Sequence, residues 1–329
     1  MKAIVQDRYG SADVLSLAEI PQPTIGDRDV LIRVHAAGLD PSVLHIMTGL
    51  PHLVRLAFGL RRPRARVRGF DVAGRIDAVG AQVTQFHPGD EVFGFCKGAF
   101  AEFACARADR IALKPSNLTF EQAAAVPVSS LTALQGLRNR ASLQVGQRVL
   151  IIGAAGGVGT FAVQIAKAFG AHVTGVCSTT KVDLVRSIGA DEVIDYTRDD
   201  FLTQPQRYDV ILDTAGLRPL TQVRRSLTPR GTLVIVGGEG GSQWLAGMER
   251  LLQAAVLSRF GSQRLRGMLA TDDQDDLLTV TGMIEAGKVA PVINRTYPLS
   301  EAAEAIRAAL ADHARGKTVI TVIPTEPAG

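Results

Sequence analysis

The chain has 329 residues, 46% of them hydrophobic, with 36 Lys and Arg against 32 Asp and Glu for a net charge of +4. That length and apolar content allow a large core and predict two domains rather than one. No apolar run approaches the ~20 residues a membrane span requires, and the opening MKAIVQDRYG lacks the apolar core of a secretory signal.

Residues 1–119 read as β-rich, with strand-like runs at Lys2–Gln6, Val30–Ala36, Val72–Val79, Glu91–Phe95 and Phe100–Ala106. Turn clusters such as Pro21-Gln22-Pro23, Gly26-Asp27 and Pro88-Gly89-Asp90 separate them, a spacing that suggests a partly open barrel. Between Leu44 and Phe70 stand six arginines (Arg55, Arg61, Arg62, Arg64, Arg66, Arg68) and no acid. Setting those six aside from +4 leaves −2, so the basic balance is local and a fold-wide nucleic-acid surface is excluded. The run reads either as a solvated loop, or, with the adjacent apolar Leu53–Leu60, as an attractor for an anionic substrate, an acyl carrier or a membrane surface. From Thr119 the texture becomes helical, at Phe120–Ala125 and Leu131–Leu137, and Thr119 with Gln122 forms a capping-box pattern.

The stretch Arg148–Gly170, RVLIIGAAGGVGTFAVQIAKAFG, organises the second half. Val149–Ile152 is a branched apolar run suited to a strand buried on both faces. A glycine turn and an apolar helix follow, and Gly170 ends the helix. Such a turn offers a pyrophosphate the free N–H groups of Ala155, Gly156, Gly157 and Val158 at a helix start. In the usual fingerprint frame the key positions are Ala154, Gly156 and Gly159, with alanine in place of the first glycine. Strand–helix alternation continues through strands His172–Cys177, Glu192–Asp195, Tyr208–Asp213 and Thr232–Val236, with a helix at Lys181–Ile188. Two strands end in small residues, Thr214-Ala215-Gly216 and Gly237-Gly238, where ligands of open parallel sheets bind. Alternation is expected to end near Ser258–Arg264. Helices at Asp273–Ala286 and Ser300–His313 and a strand at Thr318–Ile323 then rejoin the first domain. The three cysteines, Cys96, Cys105 and Cys177, are too dispersed for a metal knuckle and fit a reducing, cytoplasmic setting.

Several motifs now stand in a specific order: Gly80…Pro88-Gly89-Asp90-Glu91-Val92, the turn GAAGGVG, Gly189-Ala-Asp-Glu-Val-Ile-Asp-Tyr196, Asp213-Thr-Ala-Gly216 and HARGKTVI from His313. In that order, and along essentially its full length, the chain resembles the zinc-independent, quinone-oxidoreductase-like branch of the medium-chain dehydrogenase/reductase superfamily. The resemblance implies an α/β protein. Its GroES-like, partly open β-barrel catalytic domain would span residues 1–119 and 265–329. A Rossmann doubly wound parallel sheet, residues 120–264, would bind NADPH.

The position after the second Rossmann strand decides between NADH and NADPH, because an acid there holds the ribose hydroxyls of NAD. Here it is Cys177, followed by Ser178-Thr179-Thr180-Lys181. A hydroxyl and an ammonium suit a 2′-phosphate, and in the related family the equivalents of Ser178, Lys181 and Tyr196 contact it. The plain alternative makes Lys181 a solvated first-turn lysine and Tyr196 an ordinary strand-end aromatic. Thr132 matches a threonine that approaches the cofactor in relatives, on a helix that also carries Ser129.

The zinc ligands of the alcohol dehydrogenases in this superfamily are replaced by Gly38-Leu39-Asp40-Pro41 and Gly69-Phe70-Asp71, and phenylalanine cannot bind zinc. Without a Lewis acid, an alkene conjugated to a carbonyl, or a quinone, suits hydride transfer better than a plain ketone. The expected cleft residues are Asp40, Ser42 and His45. Asp40, where many relatives have asparagine, either binds substrate or caps a helix starting near Pro41. Some relatives use a tyrosine in the segment corresponding to 42–55, which is absent here; His45 or His52 either takes its proton-donor role or is an ordinary surface histidine. A zinc-type alcohol dehydrogenase and a non-catalytic NADPH-binding accessory protein are the alternative readings. By analogy a homodimer is expected, paired near Leu251–Phe260.

Overall fold

The computed structural model describes residues 1–236, 248–259, 261–311 and 315–323. Its contacts divide the chain into two units. One comprises residues 1–129, 272–285 and 291 onward; the other comprises 130–271 and 286–290.

The first unit begins with a two-stranded antiparallel ribbon, β1 (Lys2–Gln6) with β2 (Leu15–Glu19). The long β3 (Asp29–Leu39) leads through α1 (Pro41–Thr48) and α2 (Val54–Phe58) to β4 (Asp71–Val79). Then come β5 (Glu91–Phe95), β6 (Phe103–Arg107), β7 (Ile111–Leu113) and α3 (Phe120–Ala124). The capping box at Thr119 forms as expected, with Gln122 N–H on Thr119 Oγ1 at 3.2 Å and Thr119 N–H on Gln122 Oε1 at 2.9 Å.

In the second unit, α4 (Pro127–Gln135), whose first turn lies in the first unit, leads to β8 (Arg148–Ile152), α5 (Gly157–Ala168) and β9 (His172–Cys177). Next are α6 (Val182–Ser187), β10 (Glu192–Asp195), β11 (Tyr208–Asp213), α7 (Leu220–Val223) and β12 (Leu227–Ile235). The alternation does not stop near Ser258–Arg264: α8 (Met248–Arg259) and β13 (Arg264–Gly267) add one more unit. The six strands are all parallel, in the order β10-β9-β8-β11-β12-β13. Counted along the chain this is 3-2-1-4-5-6, the doubly wound dinucleotide order, with its switch point between β8 and β11. Leu150, Ile152, Ile211, Leu233 and Leu265 bury the sheet against Val223 and Ala254.

The chain returns to the first unit with α9 (Gln274–Glu285), β14 (Ile293–Pro298), α10 (Ala302–Ala311) and β15 (Lys317–Thr321). These strands complete a seven-stranded mixed sheet, β14-β15-β3-β4-β5-β7 with β6 on β3, over a core including Ile32, Val43, Met47, Val72, Phe100, Ile306 and Ile320. β2 and β14 carry no apolar run that marks them as strands, because every residue of both is partly or fully exposed.

Candidate functional site

In the second unit the glycine turn lies at the switch point. Gly153 leaves β8 with φ +83°, in the left-handed region that favours glycine. A Cβ on Gly159 would sit 2.1 Å from the Gly153 carbonyl oxygen, so only glycine allows the first turn of α5 to press on the strand end. Gly156 is the N-cap and supplies no side chain to the helix start. The N–H groups at the start of this 12-residue helix therefore remain available to an anion, and Ala155, Gly156, Gly157 and Val158 form the rim. Thr214 closes the other side, its N–H and hydroxyl both donating to the Ile152 carbonyl at 3.1 and 2.8 Å, with Ala215 next to it. This cradle, with an uncapped helix start on one side and Thr214 on the other, fits a pyrophosphate.

At the end of β9, burial pushes the Cys177 thiol up to about 11, against the pull of Lys181 and Arg186. Ser178 is half-buried and precedes a 3-10 turn ending at Lys181. Two cations, Lys181 and Arg186, and one acid, Asp195, thus act on the end of this strand. The arginine was missed in the sequence, and its only signal was a basic residue on the helix after Lys181. Asp195 also lies here, its carboxyl held low chiefly by the Thr179 hydroxyl, which donates to Oδ2 at 2.6 Å. Tyr196 is exposed, and its N–H donates to the Cys177 carbonyl at 3.0 Å. Thr132 is buried on α4. Gly237 and Gly238 lie outside the described residues.

A clamp that sequence spacing does not reveal fixes the loop after β11. Asp213 is buried, and that burial raises its carboxyl; Arg250 of α8 donates to its Oδ2 at 2.7 Å and to the carbonyls of Gly216 and Arg218, both at 2.8 Å. The Gly216 N–H donates to Asp213 Oδ1 at 2.8 Å.

In the first unit, Asp40 is the N-cap of α1. Its Oδ1 accepts from the Ser42 N–H at 2.8 Å and from the Ser42 hydroxyl. The capping reading of Asp40 is therefore realised, yet its other oxygen, Oδ2, is buried without a hydrogen-bond partner among the described residues. A buried carboxylate oxygen with an empty lone-pair direction suits a donor from a bound molecule. His45 is exposed one turn on, its Nδ1–H donating to the Leu50 carbonyl at 3.1 Å, which leaves Nε2 as the acceptor of the neutral ring. His52 is half-buried near the start of α2, and Ser129 is buried in the first turn of α4. Phe70 precedes Asp71, and among the described residues no three His, Cys, Asp or Glu side chains gather to hold a metal ion. Beneath this site, Asp71 accepts from the Val128 N–H at 3.0 Å and from Lys317 Nζ at 3.1 Å.

Comparisons with known proteins identify the family and the fold. The family described as "Alcohol dehydrogenase GroES-like domain" matches residues 26–116, and "Zinc-binding dehydrogenase" matches residues 188–320. The mouse mitochondrial NAD(P)H oxidoreductase RTN4IP1 is 34% identical, over 98% of this chain and 89% of that protein. The chloroplastic NADPH-dependent alkenal/one oxidoreductase of Arabidopsis thaliana is also 34% identical, over 98% of this chain and 80% of its own length. The structure of the quinone oxidoreductase from Coxiella burnetii superposes with a TM-score of 0.86 at 31% identity, over 98% of this chain and 99% of that one. The chain belongs to the quinone-oxidoreductase-like branch of the medium-chain dehydrogenase/reductase superfamily.

Proposed function

We propose that this chain is an NADPH-dependent oxidoreductase that reduces a quinone or an α,β-unsaturated carbonyl compound without zinc. One observation carries the reading: an uncapped helix start, over a turn whose Gly153 and Gly159 leave no room for a side chain, at the switch point of a six-stranded parallel sheet. The second unit binds the cofactor and the first carries the chemistry. Bound NADPH supplies a hydride to the β carbon of an enone or to a quinone.

The residues of the chain hold and orient the reactants. The N–H groups of Gly157 and Val158 hold the pyrophosphate, while the Gly156 N–H closes the turn on the Gly153 carbonyl at 3.0 Å. Ser178 and Lys181, with Tyr196 beside them, hold the 2′-phosphate that an acid at Cys177 would repel. Thr132, Thr214 and Ala215 line the remaining cofactor path, and Gly237 and Gly238, outside the described residues, are assigned to the cofactor from the sequence alone. Asp40 Oδ2 takes a hydrogen bond from a donor on a bound molecule, Ser42 holds Asp40 Oδ1 in place, and the proton that follows the hydride comes from water or from His45 carrying a proton on Nε2. Phe70, in the place of a metal ligand, leaves polarisation of the carbonyl to hydrogen-bond donors.

Oxidation of NADPH by a quinone or a linear enone, faster than by a simple ketone, is the expected result. Lys181→Ala should weaken NADPH binding about tenfold, the scale of one charge-assisted contact of ~1.5 kcal/mol, and leave NADH binding unchanged. Tight NADPH binding with no turnover of any acceptor would instead mark an accessory protein. We further place the chain in the cytoplasm as a homodimer paired along the β13 edge and α8, although Phe260 lies outside the described residues. Light scattering should then give twice the 35.0 kDa chain mass; a mass of one chain would remove the dimer.

A further inference from the structure

The six arginines that give the chain its positive balance are sorted by the fold into two groups. Arg55, Arg66 and Arg68 have partners within the fold. Arg55 Nε donates to the Gly49 carbonyl at 3.0 Å, and its guanidinium lies 4.7 Å from the centre of the Tyr9 ring. Arg66 grips Asp7 through Nε at 2.6 Å and Nη2 at 3.1 Å. Arg68 is buried, donates to the Ala65 carbonyl, and is pushed down to about 10 by that burial. Arg61, Arg62 and Arg64 are all exposed, and none of their guanidinium groups makes a hydrogen bond or ion pair among the described residues. The acid that acts on this group is Asp7, which Arg62 influences through space while Arg66 occupies it.

The same segment exposes apolar surface. Leu53, Leu56, Phe58 and Leu60 are 39, 64, 40 and 67% exposed, and α2 buries none of its residues. This is not a loose loop. The Arg64 N–H donates to the Phe58 carbonyl at 2.8 Å, the Gly59 N–H to the Arg55 carbonyl at 2.8 Å, and the Tyr9 hydroxyl to the Gly59 carbonyl at 2.5 Å. A Cβ on Gly59 would lie 2.1 Å from the Arg62 carbonyl oxygen. The fold thus fixes a tight turn that presents four large apolar side chains beside three partnerless guanidinium groups. Monomeric proteins ordinarily avoid holding such a combination in water.

We propose that this face, Leu53 to Arg64, docks on an anionic lipid surface. Charge complementarity selects that occupant: three cations in four positions, with no acid between Leu44 and Phe70, match phosphate headgroups. The leucines and Phe58 enter the boundary of the acyl chains, as in peripheral amphipathic elements. No helix among the described residues is long and apolar enough to cross a membrane, so the contact lies on the surface. Docking would bring the enzyme to lipophilic quinones or enals held in a bilayer; that consequence rests on the function proposed above, whereas docking itself does not.

The test is co-sedimentation of the full chain with vesicles of phosphatidylcholine containing phosphatidylserine, against vesicles of phosphatidylcholine alone. Binding is expected only to the charged vesicles, and raised salt should release it. Replacing Arg61, Arg62 and Arg64 together by alanine should weaken binding roughly a hundredfold, at about fivefold for each charge. Leu56→Ser with Leu60→Ser should weaken it severalfold with the arginines intact. Because these side chains bond to nothing in the fold, all variants should keep the parent melting temperature and NADPH oxidation in solution. Three results would overturn the proposal: wild type left in the supernatant, equal binding to neutral vesicles, or a triple arginine variant that binds like wild type. A chain that turns over no acceptor yet sediments with charged vesicles would refute the enzymatic reading alone.

Discussion

Lys317→Met is expected to destabilise the first unit by about 3–5 kcal/mol, the cost of stranding one partner of a buried ion pair. Lys317 is 3% exposed and Asp71 not at all, and their 3.1 Å contact joins the starts of β15 and β4. The two strands flank β3, where Gly38 pairs with both Asp71 and Val319. A Cβ on Gly38 would lie 2.9 Å from Asp71 Oδ2 and 2.4 Å from the Ala124 carbonyl oxygen, so the pair closes over a residue that must be glycine. The other carboxylate oxygen holds the Val128 N–H at the start of α4. Removing the ammonium leaves that carboxylate dry and unopposed. The melting temperature should fall by roughly 10 °C at neutral pH.

The sign of the pH dependence follows from burial, which pushes the Asp71 carboxyl above its ordinary range while Lys317 pulls it down. Without Lys317 the upward push of burial and of the Asp40 charge is opposed only by the Val128 N–H, so the folded state binds the proton more tightly than the unfolded chain does. A raised carboxyl contributes stability that is full below the unfolded value and lost as pH rises through the folded one. The variant should therefore lie closest to wild type in acid and furthest from it at alkaline pH. Adding Asp71→Asn, which removes the charge and keeps an acceptor for Val128, should recover much of the loss. Denaturant midpoints for the three proteins across pH decide it: a single variant as stable as wild type at pH 8, or one worse in acid, refutes the argument.

That ion pair could not be read from the sequence, because its partners stand 246 residues apart and no spacing rule connects them. What could be read was local. The strands Lys2–Gln6, Glu91–Phe95, His172–Cys177, Glu192–Asp195 and Tyr208–Asp213 fall where apolar runs end in turn residues. The sixth parallel strand, Arg264–Gly267, was hidden because RLRG holds one large apolar residue; pairing with β12 and the Ser258 hydroxyl, which takes the Leu265 N–H at 2.8 Å, makes it a strand. At the site, residue types pointed to the glycine turn and to Asp40, but the division of labour within one carboxylate did not appear. Oδ1 caps α1 while Oδ2 has no partner among the described residues. Composition likewise counted six arginines, and only their neighbours Asp7, Tyr9 and Gly49 sort them.

Gly159→Ala should abolish useful NADPH binding, with a loss of about a hundredfold, the cost of misplacing a binding group by ~1 Å. Within a helix, alanine is ordinarily the better residue by up to ~1 kcal/mol, so propensity predicts a gain. The packing reverses that sign. The added carbon would lie 2.1 Å from the Gly153 oxygen and 2.8 Å from the Ala154 backbone, and backbone atoms of a strand end cannot rotate aside. The first turn of α5 must then move off β8, carrying its N–H donors away from the place where a pyrophosphate meets them. Gly156→Ala provides the contrast. Its φ of −78° is open to any residue, and its Cβ would meet the Gly153 oxygen at 3.4 Å, an ordinary contact. That variant should keep the parent melting temperature and weaken NADPH only to the extent that the cofactor approaches the bare backbone. Fluorescence titration with NADPH, alongside thermal melts, separates the two effects. If Gly159→Ala binds NADPH as tightly as wild type, the glycine turn is a packing device and the cofactor lies elsewhere.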